Sequence, residues 1–571
     1  MRLLFSVTAA VLVLASVAVY LAQPRVAADK PVIYWMTDEN PAREQQIELF
    51  YQWLEENRGE LNAFLASRAS SGNGRESTRA ECYLLVDSSA NEWQKKIIQG
   101  VSGVAGDVID VWCTNIQFFS DIGFLRDVTE EARELGFDVG RTYPAMRNEL
   151  TVDGRQVAFP CNVTVHLYWV NLNEFERVGM EPPPKSWTLD EFERIGKEYV
   201  RRANQPGAPR MHFFADGMDP MVMRRTFGVS TFNETCTRCV LDDAGVRERY
   251  VAALRLQKRW MYEDKIIPTP AEQASLASEA SYGGTGPQLL NRGAYAMFRS
   301  GRYMLIQFRQ FQQSRLQRGD EPLRLAVSHP PHLDFPNSST GTRAAAVYAG
   351  SDHQDLAVLF LAYLASEQYN MQIVRDADAL PPNPRYTETR EFRKPVPPGV
   401  PEPPRSPGPD AGDDEVRRFE RDLEEYHEQY PLARYWRQGE WGTHEVFADA
   451  AGTIAVGYTY SPFVIYATWD RIEREEREKF FNNLQSAEAT AAETAVRINE
   501  EIQRRTGERP DLSRRYEELV EIQRRVDDRV EQLESLAKDE PVPPELKIPA
   551  DWVLNAFHRK LYSDRGWLDW D

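Results

Sequence analysis

The residues of this chain able to do chemistry fall into a few groups, and none completes a reaction centre. Cys236 and Cys239 form a CxxC within ETCTRCVLDD. Zinc needs four ligands, and no second CxxC supplies the missing pair. A redox CxxC sits at a strand-to-helix turn, whereas Asp242, Asp243, Ala244 and Gly245 follow here. The pair is therefore expected as a small structural disulfide or loop staple, and Cys82, Cys113 and Cys161 as buried thiols. Tyr282-Gly283-Gly284-Thr285-Gly286 lacks the following Gly-Lys-Ser/Thr of a phosphate loop, so it reads as a mobile loop. HExxH and GxSxG are absent. Asp and Glu are abundant, which leaves a glycosidase-like carboxylate pair open. The clearest pattern is an alternation: Asn162, Thr164, His166 and Tyr168 on one face, Val163, Val165, Leu167 and Trp169 on the other. Period two means a strand with one polar and one apolar face.

The elements around that strand are legible. Asp153-Gly154 favours a tight hairpin turn, and Pro160 denies the ladder a donor after the return strand 156–159. Asn173 is expected to cap a helix through Val178, with Gly179 ending it in a left-handed conformation. Thr188 with Glu191 makes a capping-box signature before Phe192, Ile195 and Tyr199 at helical spacing. Upstream, apolar strands at 32–36, 83–86 and 108–112 alternate with helical patterns, and Asn40-Pro41 supplies a cap and first helical residue. Such alternation predicts a largely parallel sheet covered on both faces, with ligands beyond the carboxyl ends of its strands. That rule selects Thr37-Asp38-Glu39-Asn40, Asp87-Ser88 and Cys113-Thr114-Asn115. For Trp35 and Trp112, core packing is the alternative to a ligand role.

At 571 residues the chain exceeds a single core, and two or more domains are expected. A net charge of −19, from 68 basic and 87 acidic residues, argues against a nucleic-acid partner. Residues 3–22 form an apolar run of bilayer-spanning length, followed by Val26-Ala27-Ala28. Residues 1–28 are thus either a cleaved export signal or an amino-terminal anchor. Both place the remainder in the periplasm or an equivalent extracytoplasmic space. The tract 394–412 is rich in proline and reads as an extended, solvated insertion. Beyond residue 486 the apolar residues of 495–502 and 512–533 repeat at three and four, an αα-hairpin across Gly507 and Pro510. Trp552, Phe557, Trp567 and Trp570 end the chain, expected to pack on a second lobe.

The run DG-x-x-x-AFP, polar strand, YW-x-N-x-x-x-FE-x-x-G, PP-x-x-W-x-x-x-EF (residues 153–192) resembles the extracellular solute-binding proteins of ABC transporters, most of all the carbohydrate-binding, maltose-binding-like group. NRGAYAMFRSGRY (residues 291–303) is similar to that family's G-x-x-A-M-x-x-x-G-x-W, with Tyr303 replacing the aromatic that stacks on solute. IGFLRDVTEE at 122–131 and Leu380-Pro381-Pro382-Asn383-Pro384 extend the resemblance. It implies an α/β, two-lobed type II binding-protein fold with three interlobe crossings, near 160–164, 328–331 and 380–384. The lobes would comprise residues 31–160 with 328–380, and 161–327 with 385–485, followed by a helical extension at 486–571. Together with the strand-end rule it implies a ligand set of Trp35, Asp38, Asn40, Thr114, Asn115, Asn162, Thr164, His166, Asp216, Arg299, Tyr303 and Tyr460. The implied role is capture of a solute, a sugar or oligosaccharide, for permease subunits in the membrane, with no enzymatic activity, metal or cofactor. An exported glycan-acting enzyme and a non-transporting sensor or scaffold are the other readings.

Overall fold

Period-two and period-3.6 patterns resolve into two mixed sheets wrapped by helices. The computed structural model describes residues 29–40, 42–69, 78–90, 92–207, 211–276, 285–408, 411–536 and 541–570. The expectations for residues 1–28 and for Tyr282-Gly283-Gly284 fall outside these. Among the described residues, no helix is long and apolar enough to cross a membrane.

The first sheet begins with β1 (Val32–Met36), β2 (Tyr83–Asp87) and β3 (Val108–Trp112), with β1 parallel to both neighbours. Alternation along β1 sends Ile33 and Trp35 into a core with Phe50 and Phe360, while Met36 joins Ile109 and Val111 on the opposite face. The hairpin β4 (Thr151–Val152) and β5 (Arg155–Gln156) turns through Asp153 and Gly154 at φ of 52° and 74°. That is the double positive φ an Asp-Gly turn supplies. The strand β6 (Phe159–Val165) then lies in the first sheet.

The second sheet comprises β7 (Leu167–Asn171), β8 (Phe213–Ala215), β9 (Tyr295–Ser300) and β10 (Leu325–Ser328), in the order β10-β7-β9-β8. The chain returns to the first sheet in β11 (Ser338–Val347), antiparallel to both β3 and β6, and β12 (Ala455–Val456) pairs with its first two residues. The first sheet is therefore parallel except for β11 and β12, which run together against the other four strands. The helix Gln354–Leu364 behind it is buried at every position from 355 to 364. An all-round apolar helix belongs inside a large domain.

Several expectations are corrected. The first crossing lies at His166, between β6 and β7, so residues 161–165 belong to the first lobe rather than the second. Hydrogen bonding to β11 continues through Val165 to the His166 amide, which donates to the Ser339 carbonyl at 3.0 Å, and the chain leaves the ladder there. The helix Leu172–Arg177 is capped by Asn171, whose side chain accepts from the Asn173 and Glu174 amides, and not by Asn173. The Thr188–Glu191 capping box is present in both directions. The 394–412 tract is not merely solvated. Pro395 and Pro397 are buried, and the Pro395 and Pro401 carbonyls accept hydrogen bonds from Trp441 and Tyr426.

All five cysteines are free and buried, so Cys236 and Cys239 make no disulfide. Hydrogen bonds staple their loop instead. Asn233 holds Thr237, while Asn499 and Gln523 of the helices Ala487–Glu508 and Pro510–Glu534 hold Cys239 and Thr235. Those two helices form the expected αα-hairpin. The aromatic terminus packs mainly against the second of them, through Val526, Leu533, Tyr562 and Trp567, and Asn555 anchors it to the 230–233 loop. Trp570 stays 64% exposed.

Candidate functional site

The carboxyl ends of β1, β3 and β9 and the crossing at His166 meet along a seam between the lobes, where the sequence-derived candidates separate into distinct places. Trp35 is not on the seam: it is fully buried, its ring 4.7 Å from Phe360, and its indole donates to Asp110 at 2.7 Å. The side-chain alternation of β1 directs it into the first-lobe core. Asp110 also accepts from Thr37 and Arg343, both at 2.5 Å. Burial pushes this carboxyl up, but Arg343, Arg43 and Lys96 outweigh it and hold it below the usual range. Asp38 is half-exposed and grips Arg43 at 2.9 and 2.6 Å. Asn40 accepts from the Ala42 amide at 2.9 Å, capping the next helix.

At the centre of the seam, Thr164, His166, Asp216, Arg299 and Tyr303 come together. A Cβ at Gly301 would lie 2.6 Å from the Tyr303 ring and 2.7 Å from Thr164 Cγ2, so only glycine allows the ring to lie there. Ser300 Oγ donates to the Tyr303 hydroxyl at 3.1 Å. Arg299 faces Asp219 at 3.3 Å, and its backbone N–H donates to Asp216 at 3.0 Å. His166 Nδ1 lies 3.3 Å from Ser339 Oγ, which in turn reaches Asp219.

The charge states follow from position. Burial, with Arg299, pushes His166 down to about 4, so it is neutral near pH 7 and offers one donor and one acceptor. Burial raises Asp216 to about 7 against the pull of Arg299. For Asp219 burial is outweighed by Arg299 and by the Val222 and Met221 amides, which hold it low. The sequence reading missed Asp219 and Ser339. Asp219 carried a signal, since an Asp before Pro220 is a helix-cap signature, and its Oδ1 accepts from Met221 and Val222.

Beside this centre opens a cavity of about 610 Å³. Asn40, Asp376 and Asp378 of the first lobe, Ile306 and Arg309 of the helix Leu305–Arg318, and Arg390, Pro397 and Trp436 line it. Asn162 reaches its wall through Asp378 at 3.2 Å. Arg309 lies 3.9 Å over the Trp436 ring and grips Glu440 with two hydrogen bonds of 2.8 and 2.9 Å. The proline tract thus walls a cavity, which its composition did not reveal. Between cavity and polar centre, the buried Arg302 donates to the Val374 and Ala379 carbonyls at 3.1 and 2.6 Å. Ala377 and Ala379 sit at φ of 58° and 62°, a strained conformation for alanine, in the turn that presents the Ala379 carbonyl to this guanidinium.

Thr114 and Tyr460 lie elsewhere, facing each other across a crevice of about 10 Å³, too small for a solute. Asn115 is half-buried on the same helix Cys113–Asp121. The structure does not bring these three to the cavity. The crevice is closed on its far side by Arg505 and Tyr466, and Arg515 of the hairpin pairs with Asp153 of the first lobe at 2.7 Å.

No family model matches the chain, and no curated protein matches it. Solved structures do. A substrate-binding protein of Listeria monocytogenes in complex with cycloalternan has a TM-score of 0.57 at 16% identity, covering 83% of this chain and 99% of that one. The fold is that of the two-lobed solute-binding proteins. Maltose-bound MalE3 of T. maritima (TM-score 0.54, 15% identity, 81% and 98% covered) shares it. So does the sugar-binding protein MalE of Xanthomonas citri, with the same TM-score and identity over 83% and 98%.

Proposed function

We propose that this chain is the extracytoplasmic solute-binding component of an ABC importer, capturing a carbohydrate between its lobes and passing it to membrane permease subunits. The observation that carries this reading is the cavity of about 610 Å³, walled by both lobes and by the 385–440 segment. Its volume lies within the range of about 300–1,000 Å³ usual for small-molecule sites. The neighbouring structures, which hold cycloalternan and maltose, support a sugar.

The chemistry suits hydroxylated rings. Sugar hydroxyls are costly to bury unpaired, and Asn40, Asp378 and Arg309 offer donors and acceptors along the cavity wall. The Trp436 ring, over which Arg309 lies, adds apolar surface to that wall. A ligand touching both walls stabilises the closed arrangement, so closure and affinity are one equilibrium. The binding reading is favoured over an enzymatic one because the structural neighbours are binding proteins.

A thermal-shift screen against maltooligosaccharides and cyclic glucans tests the proposal. A ligand at a hundredfold excess over Kd adds about 2.7 kcal/mol to folded-state stability. The expected result is a saturable rise in Tm for at least one sugar, abolished by Arg309→Ala with Trp436→Ala. Rises that survive that double substitution, or none across the set, overturn it. Export is tested by fusing residues 1–40 to a reporter active only outside the cytoplasm; a silent reporter refutes the location.

A further inference from the structure

A second cavity, of about 340 Å³, shares no lining residue with the first. Its walls come from residues 144–148 of the first lobe, from residues 451–457 including β12, and from the helix Ala556–Asp564 with Trp570. Three cations line it, Arg147, Arg559 and Lys560, and no carboxylate does, in a chain whose net charge is −19.

Lys560 is answered within its own helix by Asp564, at 2.5 and 2.6 Å. The two arginines are not. Among the described residues neither forms an ion pair. Arg147 makes a 3.4 Å contact to the Gly140 carbonyl, and Arg559 spends only its Nε, on the Val553 carbonyl at 2.8 Å. Arg559 is half-buried, so its charge is partly stripped of water, and Asp551 acts on it from a distance without forming an ion pair. Burial accordingly pushes its guanidinium below the usual value. The lining also includes the apolar Ala455, Ala556 and the indole of Trp570.

We infer that this cavity binds a small organic oxyanion, its charged group bridging Arg147 and Arg559 and its apolar body lying against Ala455, Ala556 and Trp570. A guanidinium presents parallel N–H donors that match a carboxylate or phosphate, and two of them across a gap define an anion position. The bound anion would join the carboxyl-terminal extension to the first lobe. It would do so beside β12, which pairs with Ser338 and Ser339 where the chain re-enters the first sheet. Occupancy therefore stabilises the attachment of the extension without touching the interlobe cavity.

The full-length protein is titrated with phenyl phosphate, benzoate and neutral benzyl alcohol by calorimetry and tryptophan fluorescence. The expected result is saturable binding of at least one oxyanion, weakened by salt, with benzyl alcohol silent. Arg147→Gln, at an exposed side chain, and Arg559→Gln should each weaken binding by about tenfold, the scale of one charge-assisted hydrogen-bonded contact. Trp570→Phe should remove the fluorescence change while calorimetric binding persists. Absence of saturable binding at about 10 mM, far weaker than a built site gives, overturns the inference. So does binding unchanged by Arg147→Gln. That variant keeps the test valid even if loss of the Arg559–Val553 contact unfolds the second.

Discussion

Replacing Glu149 by glutamine should make the protein more stable at alkaline pH and alter its pH profile in a calculable way. Glu149 is 5% exposed; Oε1 accepts from the Tyr458 amide at 2.8 Å, and Oε2 is buried without a partner. A Cβ at Gly457 would lie 2.5 Å from Oε1, so the return segment packs directly on this carboxyl. Burial raises its pKa from 4.5 to about 8, against the pull of the Tyr458 amide, Cys113 and Arg225. The folded-state pKa exceeds the unfolded one. The stability it contributes is fully present below pH 4.5 and is lost as pH rises through 8. With 1.36 kcal/mol per pKa unit, the loss between pH 5 and pH 9 is about 4 kcal/mol. Glutamine keeps the acceptor for Tyr458 and does not titrate. Thermal unfolding of both proteins at pH 5, 7 and 9 is the assay. The Tm difference should widen in favour of Glu149→Gln by on the order of 10 °C from pH 5 to 9, at about 2–4 °C per kcal/mol for a lobe of this size. Parallel profiles would refute the buried, protonated carboxyl.

Three further outcomes are expected. Arg343→Ala removes the cation hydrogen-bonded to the buried Asp110, leaving only Arg43 and Lys96 near it, and should cost about 3–5 kcal/mol in a melt, whereas a loss below 1 kcal/mol, the usual worth of an exposed pair, would show that water reaches it. Tyr303→Ala should weaken solute affinity by about 1–3 kcal/mol, by analogy with other ring-stacking contacts. If calorimetry finds affinity unchanged and only the Tm lowered, the ring packs the seam and does not meet solute. Because all five cysteines are free and buried, thiol reagent should label the native protein slowly and the denatured protein at five sites, and reductant should leave the Tm unmoved. Fewer than five reactive thiols after denaturation would mean a disulfide.

Local patterns specified much of this molecule on their own. The Thr188–Glu191 box and the Asp153-Gly154 turn depend on neighbours within a few residues, and each appears where the sequence put it, whereas the alternating run 162–169 keeps its apolar residues in one core but is split at His166 between the two sheets. The family-like order of motifs also carried the two-lobed fold, because strand and helix succession restricts how sheets can be connected.

What the sequence left open depended on contacts between residues far apart in the chain. Trp35 and Tyr303 are both aromatics at a strand end in sequence terms. Which one enters the core was decided by the pleat of β1 against the helix Gln354–Leu364 and by the absent Cβ at Gly301. CxxC spacing allowed a disulfide, but side chains over 200 residues away staple that loop, and no local pattern announces them. Proline composition described the 394–412 tract as solvated; Trp441 and Tyr426 made it the wall of a cavity. The charge states of Glu149, His166 and Asp216 likewise belong to no residue type. Desolvation and the placement of Arg299 and Arg225 set them, and both exist only once the lobes have closed around the seam.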